Sequence, residues 1–354
     1  MVRRLPGTGR FSTLLILLAA TATLRCTGPN TPTPPPPPPP DPAAVEITCP
    51  QPVTVASLRG EPTVVVYGQA TAISGAPPVT VSCTPQSGGA FPVGTSTVTC
   101  LATDARQRTA PCTFTITVTS PPRISLTRVV AFGDSMTTGE IPGLGLNPFT
   151  GGFLVDPGSA YPRRLEVALV GRYTAQTPFV RNQGLSGEQA IQGRSRLSGV
   201  LAGAGYEVLL LMEGANDLLF GEAKAVDPAV SAMQFMVRDA KSRGLRVFLA
   251  TLPPQNPLAC CPRRGNAAAF VEPYNNRLRS LAAAEGVTLV DVYPAFNGDT
   301  TTLIDFDGLH PTAAGYQRIA DTFFKSITQT LELPPTLTWD PRAMVTGGFL
   351  IRRR

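Results

Sequence analysis

Four short polar groups interrupt apolar stretches of this chain: Gly133-Asp134-Ser135, Asn182–Gly187, Gly214-Ala215-Asn216-Asp217 and Asp307-Gly308-Leu309-His310. Their residue types are those that acyl transfer needs. A serine hydroxyl is a weak nucleophile until a base removes its proton, and His310 is the one histidine in the sequence. Asp307, three residues earlier in a turn, is spaced to hold one ring nitrogen while the other faces Ser135. A developing oxyanion needs N–H donors, which a glycine backbone and the Asn216 side-chain amide can supply. Taken singly, each group has a plainer use. Gly-Asp-Ser is a common tripeptide, a lone histidine is more often structural, glycine marks turns and asparagine caps helices. The lone histidine also excludes a zinc site with two or more histidine ligands in one chain, so an HExxH metallohydrolase is ruled out. No cofactor and no metal is expected.

The elements around these groups turn coincidence into a pattern. The runs RVVAFGDS, PFVRNQG, YEVLLLMEG, LRVFLATLPP and VTLVDVYPA are near-continuously apolar, as parallel strands covered on both faces should be. Amphipathic stretches at Tyr161–Tyr173, Glu188–Leu201, Pro228–Arg243, Ala267–Glu285 and Pro311–Thr330 alternate with them. This alternation predicts a three-layer α/β/α domain with a parallel sheet over residues 125–330. Ligands of such sheets bind beyond the C-terminal strand ends, where the polar groups fall.

These four groups resemble the blocks of the SGNH (GDSL) hydrolase family, over about Val129 to Thr330. The resemblance implies an SGNH-hydrolase-like fold and a serine ester hydrolase working through an acyl-enzyme. It makes Ser135 the nucleophile, His310 the base and Asp307 the acid of a Ser-His-Asp triad. The family's second block has the form Asn-x-x-x-x-Gly, so its oxyanion glycine maps to Gly187 rather than Gly184. Asn216 and the Ser135 backbone N–H complete the implied oxyanion hole. Asp134 and Asp217 match positions read as structural. Met136 stands where a leucine commonly follows the serine, a volume-conserving exchange.

Residues 44–120 have a different texture. AVEITC, PTVVVYG, PVTVSC, STVTCLAT and CTFTITV are short Val/Thr/Ile-rich runs separated by Gly and Pro, the pattern of a β-sandwich. Cys49, Cys83, Cys100 and Cys112 fit a disulfide framework, with three connectivities open. Cys49-Pro50, residues 78–83, Phe91-Pro92-Val93-Gly94, Val98-Thr99-Cys100, residues 102–105 and Cys112-Thr113-Phe114 resemble the HYR (hyalin repeat) module. That resemblance implies an all-β immunoglobulin-like sandwich with an adhesion or spacer role, and an extracellular binding partner.

The N-terminus reads as an export signal over residues 1–26. Arg3, Arg4 and Arg10 precede an apolar stretch from Leu14 to Ala20, too short to span a bilayer as a mature helix. Ala20-Thr21-Ala22 offers a small-residue cleavage site. Cys26 resembles the lipidated cysteine of bacterial lipoproteins, although Arg25 stands where that family has a small residue. Secretion and lipid anchoring at the cell envelope both remain open, and either places the protein where disulfides persist. A proline-rich linker follows at residues 27–43, with seven consecutive prolines at Pro34–Pro40 favouring an extended polyproline II spacer.

The formal charge of +6 is accounted for by six arginines at the chain ends, Arg3, Arg4, Arg10 and Arg352–Arg354. The body of the chain is neutral, so no nucleic-acid partner is expected. Short acyl (acetyl) esters on extracellular carbohydrate are the favoured substrate, with lipid esters next. A non-catalytic glycan-binding adhesion protein is the rival from another class. The Gly/Pro-rich loop Ile141–Ala160 and the Cys260-Cys261 loop are each either a rim of the site or a surface insertion. Residues 331–354 read as a C-terminal tail without an assigned role.

Overall fold

The computed structural model describes residues 43–148, 152–219, 222–259 and 262–334. Residues 1–42, which hold the expected export signal, Cys26 and most of the proline-rich stretch, lie outside them, as do Cys260-Cys261 and residues 335–354. Among the described residues no helix is long and apolar enough to cross a membrane.

The N-terminal part of the described chain, to Thr119, is all-β. Its strands are β1 (Glu46–Thr48), β2 (Val53–Ala56), β3 (Thr63–Val65), β4 (Thr71–Ser74), β5 (Thr80–Thr84), β6 (Gly89–Phe91), β7 (Gly94–Thr103) and β8 (Thr109–Thr119). A four-stranded sheet runs β2-β8-β7-β5, and β1-β4 and β3-β6 form two-stranded sheets. Alternate residues of β7 and β8 turn inward (Val98, Cys100, Phe114, Ile116 and Val118 are buried), so each strand gives one face to the core. Tyr67 meets Phe114 edge-on at 5.0 Å between ring centroids. The cysteines pair as Cys49–Cys112 and Cys83–Cys100, which selects one of the three open connectivities. The close approach of Cys49, Cys100 and Cys112 is therefore a meeting of disulfides.

From residue 128 the chain alternates. The strands β9 (Arg128–Gly133), β10 (Phe179–Gly184), β11 (Val208–Met212), β12 (Arg246–Ala250) and β13 (Thr288–Val290) form one parallel sheet in the order β10-β9-β11-β12-β13. Val129–Gly133 and Val208–Met212 are wholly buried, which is why the central strands read as unbroken apolar runs. The helices are α1 (Ser135–Thr138), α2 (Tyr161–Arg172), α3 (Ala190–Leu201), α4 (Val226–Ser242), α5 (Pro262–Glu285), α6 (Val292–Ala295) and α7 (Ala313–Leu331).

Connection handedness sorts these helices. The step from β9 to β10 runs one way along the sheet, and those from β10 to β11, β12 and β13 run the other. Right-handed crossovers then put α2 on one face and α3, α4 and α5 on the opposite face. Packing agrees: α2 contacts α7, whereas α3 contacts α4 and α4 contacts α5. Tyr161 of α2 stacks on Phe323 of α7 at 5.2 Å. The inward residues of α7 (Tyr316, Ile319, Ala320, Phe323, Ile327 and Leu331) follow helical spacing, and Thr312 caps its start by accepting from the Gly315 N–H.

Boundaries moved in three places. Helix α5 begins at Pro262 rather than Ala267, because proline suits the first helical turn, where no N–H is required. The apolar run VTLVDVYPA is strand only to Val290 and then turns into α6. The domain also extends past residue 330: Glu332 accepts from Arg172 and from the Tyr173 hydroxyl at 2.7 Å.

Candidate active site

Strand register decides where the chemistry gathers. Gly133 at the end of β9 is paired with Gly184 of β10 on one side and Met212 of β11 on the other. Three strand ends therefore open onto the same edge, at the point where strand order reverses. Packing there leaves no room for a side chain: a Cβ on Gly133 would lie 1.9 Å from the Met212 carbonyl oxygen.

Asp134 caps the short helix α1 by accepting from the Met136 N–H at 3.0 Å. That cap sets Ser135 at the first helical position, facing a cavity of about 660 Å³ lined by Ser135, Glu140, Phe153, Gly187, Asn216 and His310 among others. The Ser135 Oγ lies 2.8 Å from His310 Nε2, and His310 Nδ1 lies 2.6 Å from Asp307 Oδ2. The other Asp307 oxygen accepts from the backbone N–H groups of Leu309 and His310 at 3.0 Å each. Burial pushes the Asp307 carboxyl up, but the His310 hydrogen bond and charge and these N–H donors outweigh it and hold it below the ordinary carboxylate range. An ionised Asp307 fixes the Nδ1–H tautomer, leaving Nε2 as acceptor toward Ser135.

The residues assigned to the oxyanion hole line the same cavity. Gly187 has φ +77°, a left-handed conformation that turns its backbone sharply after β10. One hydrogen of the Asn216 amide goes to the Glu188 carbonyl at 2.9 Å, which orients the amide and leaves the second hydrogen for the cavity. Asn182, in contrast, is a structural member of its block. It lies within β10 and donates to the carbonyls of Thr137 and Thr138, tying that strand to α1. Asp217 accepts from the Ala190 N–H at the start of α3, and burial raises its carboxyl to about 6.

Several residues around the site carry no signal in the four motifs. Arg196 of α3 makes a two-pronged bond to Glu188 at 2.7 and 2.5 Å. It also donates to the Gln183 carbonyl at 3.1 Å and stacks over the Phe132 ring at 4.0 Å. It thus joins β9, β10 and the Gly187–Glu188 turn. Just past the end of β11, Glu213 is fully buried, and neither of its oxygens has a hydrogen-bond partner among the described residues. Burial, then the nearby Asp134 and Glu188 charges, push its carboxyl strongly up, so it is held neutral. Asp134 is raised to about 7, also chiefly by burial.

The loop Ile141–Ala160 rims the cavity. Its described ends pair at Glu140 with Val155 and at Leu146 with Phe153, and the Gly143 N–H donates to Asp305 at 3.0 Å. The Phe153 ring meets His310 edge-on at 5.5 Å.

A model of the GDSL-like lipase/acylhydrolase family matches residues 131–318, more than half of the sequence and the whole span that carries this cavity. The chain belongs to that family. Its GDSL domain is a carboxylic ester hydrolase domain, and a match to the HYR domain over residues 40–118 precedes it. Esterase TesA of Pseudomonas aeruginosa is 26% identical over 168 residues, covering 47% of this chain and 79% of that protein. Among solved structures, a lipase/acylhydrolase from Enterococcus faecalis has a TM-score of 0.48 at 20% identity, covering 59% of this chain and 98% of the other. An acetylxylan esterase from Geobacillus stearothermophilus has a TM-score of 0.45 at 21% identity, covering 58% and 95%.

Proposed function

We propose that this GDSL hydrolase is an exported esterase that removes short acyl groups, acetyl above all, from extracellular carbohydrate by a two-step Ser135 mechanism. The hydrogen-bonded series from Ser135 Oγ through His310 to Asp307 carries this reading. His310 Nε2 takes the Ser135 proton as Oγ attacks the ester carbonyl. The oxyanion is met by the N–H groups of Ser135, Gly187 and Asn216. His310 then returns the proton to the leaving alcohol, and water hydrolyses the acyl-enzyme by the same route reversed.

The cavity wall favours a hydroxyl-rich alcohol, because Thr138, Glu140, Ser186 and Asn216 all face it. Export is supported by the paired cysteines, since disulfides persist in oxidising compartments. In this reading the HYR domain holds the enzyme at, or away from, an extracellular partner. One observation favours lipid esters instead: Leu144, Leu146 and Leu154 are exposed on the loop that rims the cavity. Hydrolysis of p-nitrophenyl esters from acetate to decanoate, alongside acetate release from acetylated xylan, separates the two. The proposal expects a sharp fall in kcat/KM with acyl length and release of acetate from the polysaccharide. A rise toward the longer chains, without release from xylan, would transfer the assignment to lipid esters.

A further inference from the structure

Glu140 lies five residues beyond the serine and belongs to none of the sequence blocks. Its backbone is fixed on several sides. The N–H donates to the Ser135 carbonyl at 3.2 Å, the carbonyl accepts from the Tyr316 hydroxyl at 2.7 Å, and the residue bridges Val155. Its side chain is 7% exposed, and Oε2 lies 3.3 Å from His310 Nε2, on the nitrogen that also faces Ser135. Glu140 lines the cavity together with Ser135 and Asn216. A buried carboxylate in this position needs an explanation, because a neutral Nε2 holding the serine proton by its lone pair has no hydrogen to offer it.

We infer that Glu140 positions the water that hydrolyses the acyl-enzyme, an assignment that rests on the acyl-enzyme reading above. Once Ser135 is acylated, Nε2 is free to take a proton from water. That water has two hydrogens and only one can go to Nε2. The second needs an acceptor on the cavity wall, where Glu140 is the carboxylate beside Nε2. A water at ordinary hydrogen-bond length, about 2.8 Å, from both Nε2 and Glu140 Oε2 closes a feasible triangle with the 3.3 Å side already present. Held at both hydrogens, it turns a lone pair toward the acyl carbon. Its oxygen forms the new C–O bond, its proton passes to Nε2, and the carbonyl π pair moves to the oxyanion. Collapse breaks the bond to Ser135 Oγ, which takes the proton from Nε2, and the carboxylic acid leaves. Glu140 takes part in this step as a hydrogen-bond acceptor only, and no proton is transferred to it.

The assignment separates the two half-reactions. Acylation by p-nitrophenyl acetate expels a phenolate and uses no water, so it does not need Glu140. Methanol has a single O–H, so methanolysis of the acyl-enzyme does not need a second acceptor either. Stopped-flow measurements on wild type, Glu140→Gln and Glu140→Ala test this directly. In Glu140→Ala the burst rate should stay within about threefold, while kcat and KM fall together by about tenfold or more, the loss of one charge-assisted hydrogen bond. The ratio of methyl acetate to acetate formed in aqueous methanol should rise by a similar factor. Glu140→Gln, which keeps an acceptor oxygen of the same shape, should lie between wild type and Glu140→Ala. Equal losses in acylation and deacylation, an unchanged methanol partition, or Glu140→Gln as impaired as Glu140→Ala would overturn the assignment. Absence of any burst or acid-trappable acyl group in all three proteins would instead overturn the acyl-enzyme reading itself.

Discussion

Two regions of the domain bury carboxyl groups and treat them in opposite ways. In the turn that carries His310, Asp307 is surrounded by donors, two backbone N–H groups and an imidazole, and is held ionised. Just past the end of β11, Glu213 has no donor for either oxygen among the described residues and is held neutral. Burial pushes both carboxyls up. The difference lies in what each faces, so protonation here is set by local donors more than by depth. One region keeps a carboxylate beside His310; the other keeps a neutral acid packed against Gly193 of α3.

The largest effect should come from removing the charge in the first region. Asp307→Asn should lower kcat about 10³–10⁴-fold, because the amide no longer holds the Nδ1–H tautomer or an imidazolium formed in the transition state. Steady-state kinetics on p-nitrophenyl acetate checks it, and a loss below tenfold would show that His310 is oriented without Asp307. Next is the donor that follows the second region in the chain. Asn216→Ala should lower kcat about 10²–10³-fold with a smaller change in KM, since the amide serves charge that develops in the transition state. An unchanged kcat would remove Asn216 from the site.

The smallest effect on rate is expected at Glu213, where the readout is stability. A carboxyl with a raised folded-state value binds its proton more tightly folded than unfolded. Its contribution is therefore full below the ordinary carboxylate range and is lost as pH rises. Asp134, at about 7, and Asp217, at about 6, act in the same direction. Glu213→Gln mimics the neutral acid and should leave kcat within a few-fold. Between pH 5 and 8 it should gain stability relative to wild type, by at most about 1.4 kcal/mol per pH unit. Urea denaturation at several pH values reads this, and parallel pH profiles for the two proteins would show that Glu213 is ionised. Asp307 has the opposite sign: its stabilising contribution is present above the ordinary carboxylate range and is lost as pH falls through its lowered value.

The sequence exposes some of this layout and hides the rest, for physical reasons. The buried strands β9 and β11 announce themselves because both faces are covered, leaving unbroken apolar runs. Ser135, Gly187 and Asn216 are legible because they follow strand ends, and Asp307 and His310 because they share a turn just before α7, all in a recognisable order. Strands β2, β4 and β6 are four residues or fewer and leave no periodicity to read. Glu140, Glu188 and Glu213 are hidden for another reason. An isolated acid in a loop or at a strand end looks solvated in sequence, and only the register of β9, β10 and β11 and the fold of the rim loop bury it. The Arg196–Glu188 bond joins residues eight apart across a helix start, a geometry outside the spacing rules for helical pairs.

Covalent acylation of Ser135 is the step on which the proposed mechanism depends. Rapid acid quench of the protein with p-nitrophenyl acetate, followed by digestion and mass spectrometry, tests this most directly. One acetyl group should be found on the peptide containing Ser135, should chase off on dilution into buffer, and should be absent in Ser135→Ala. Turnover retained by Ser135→Ala, or acetyl recovered on another residue that chases at the rate of turnover, would contradict it.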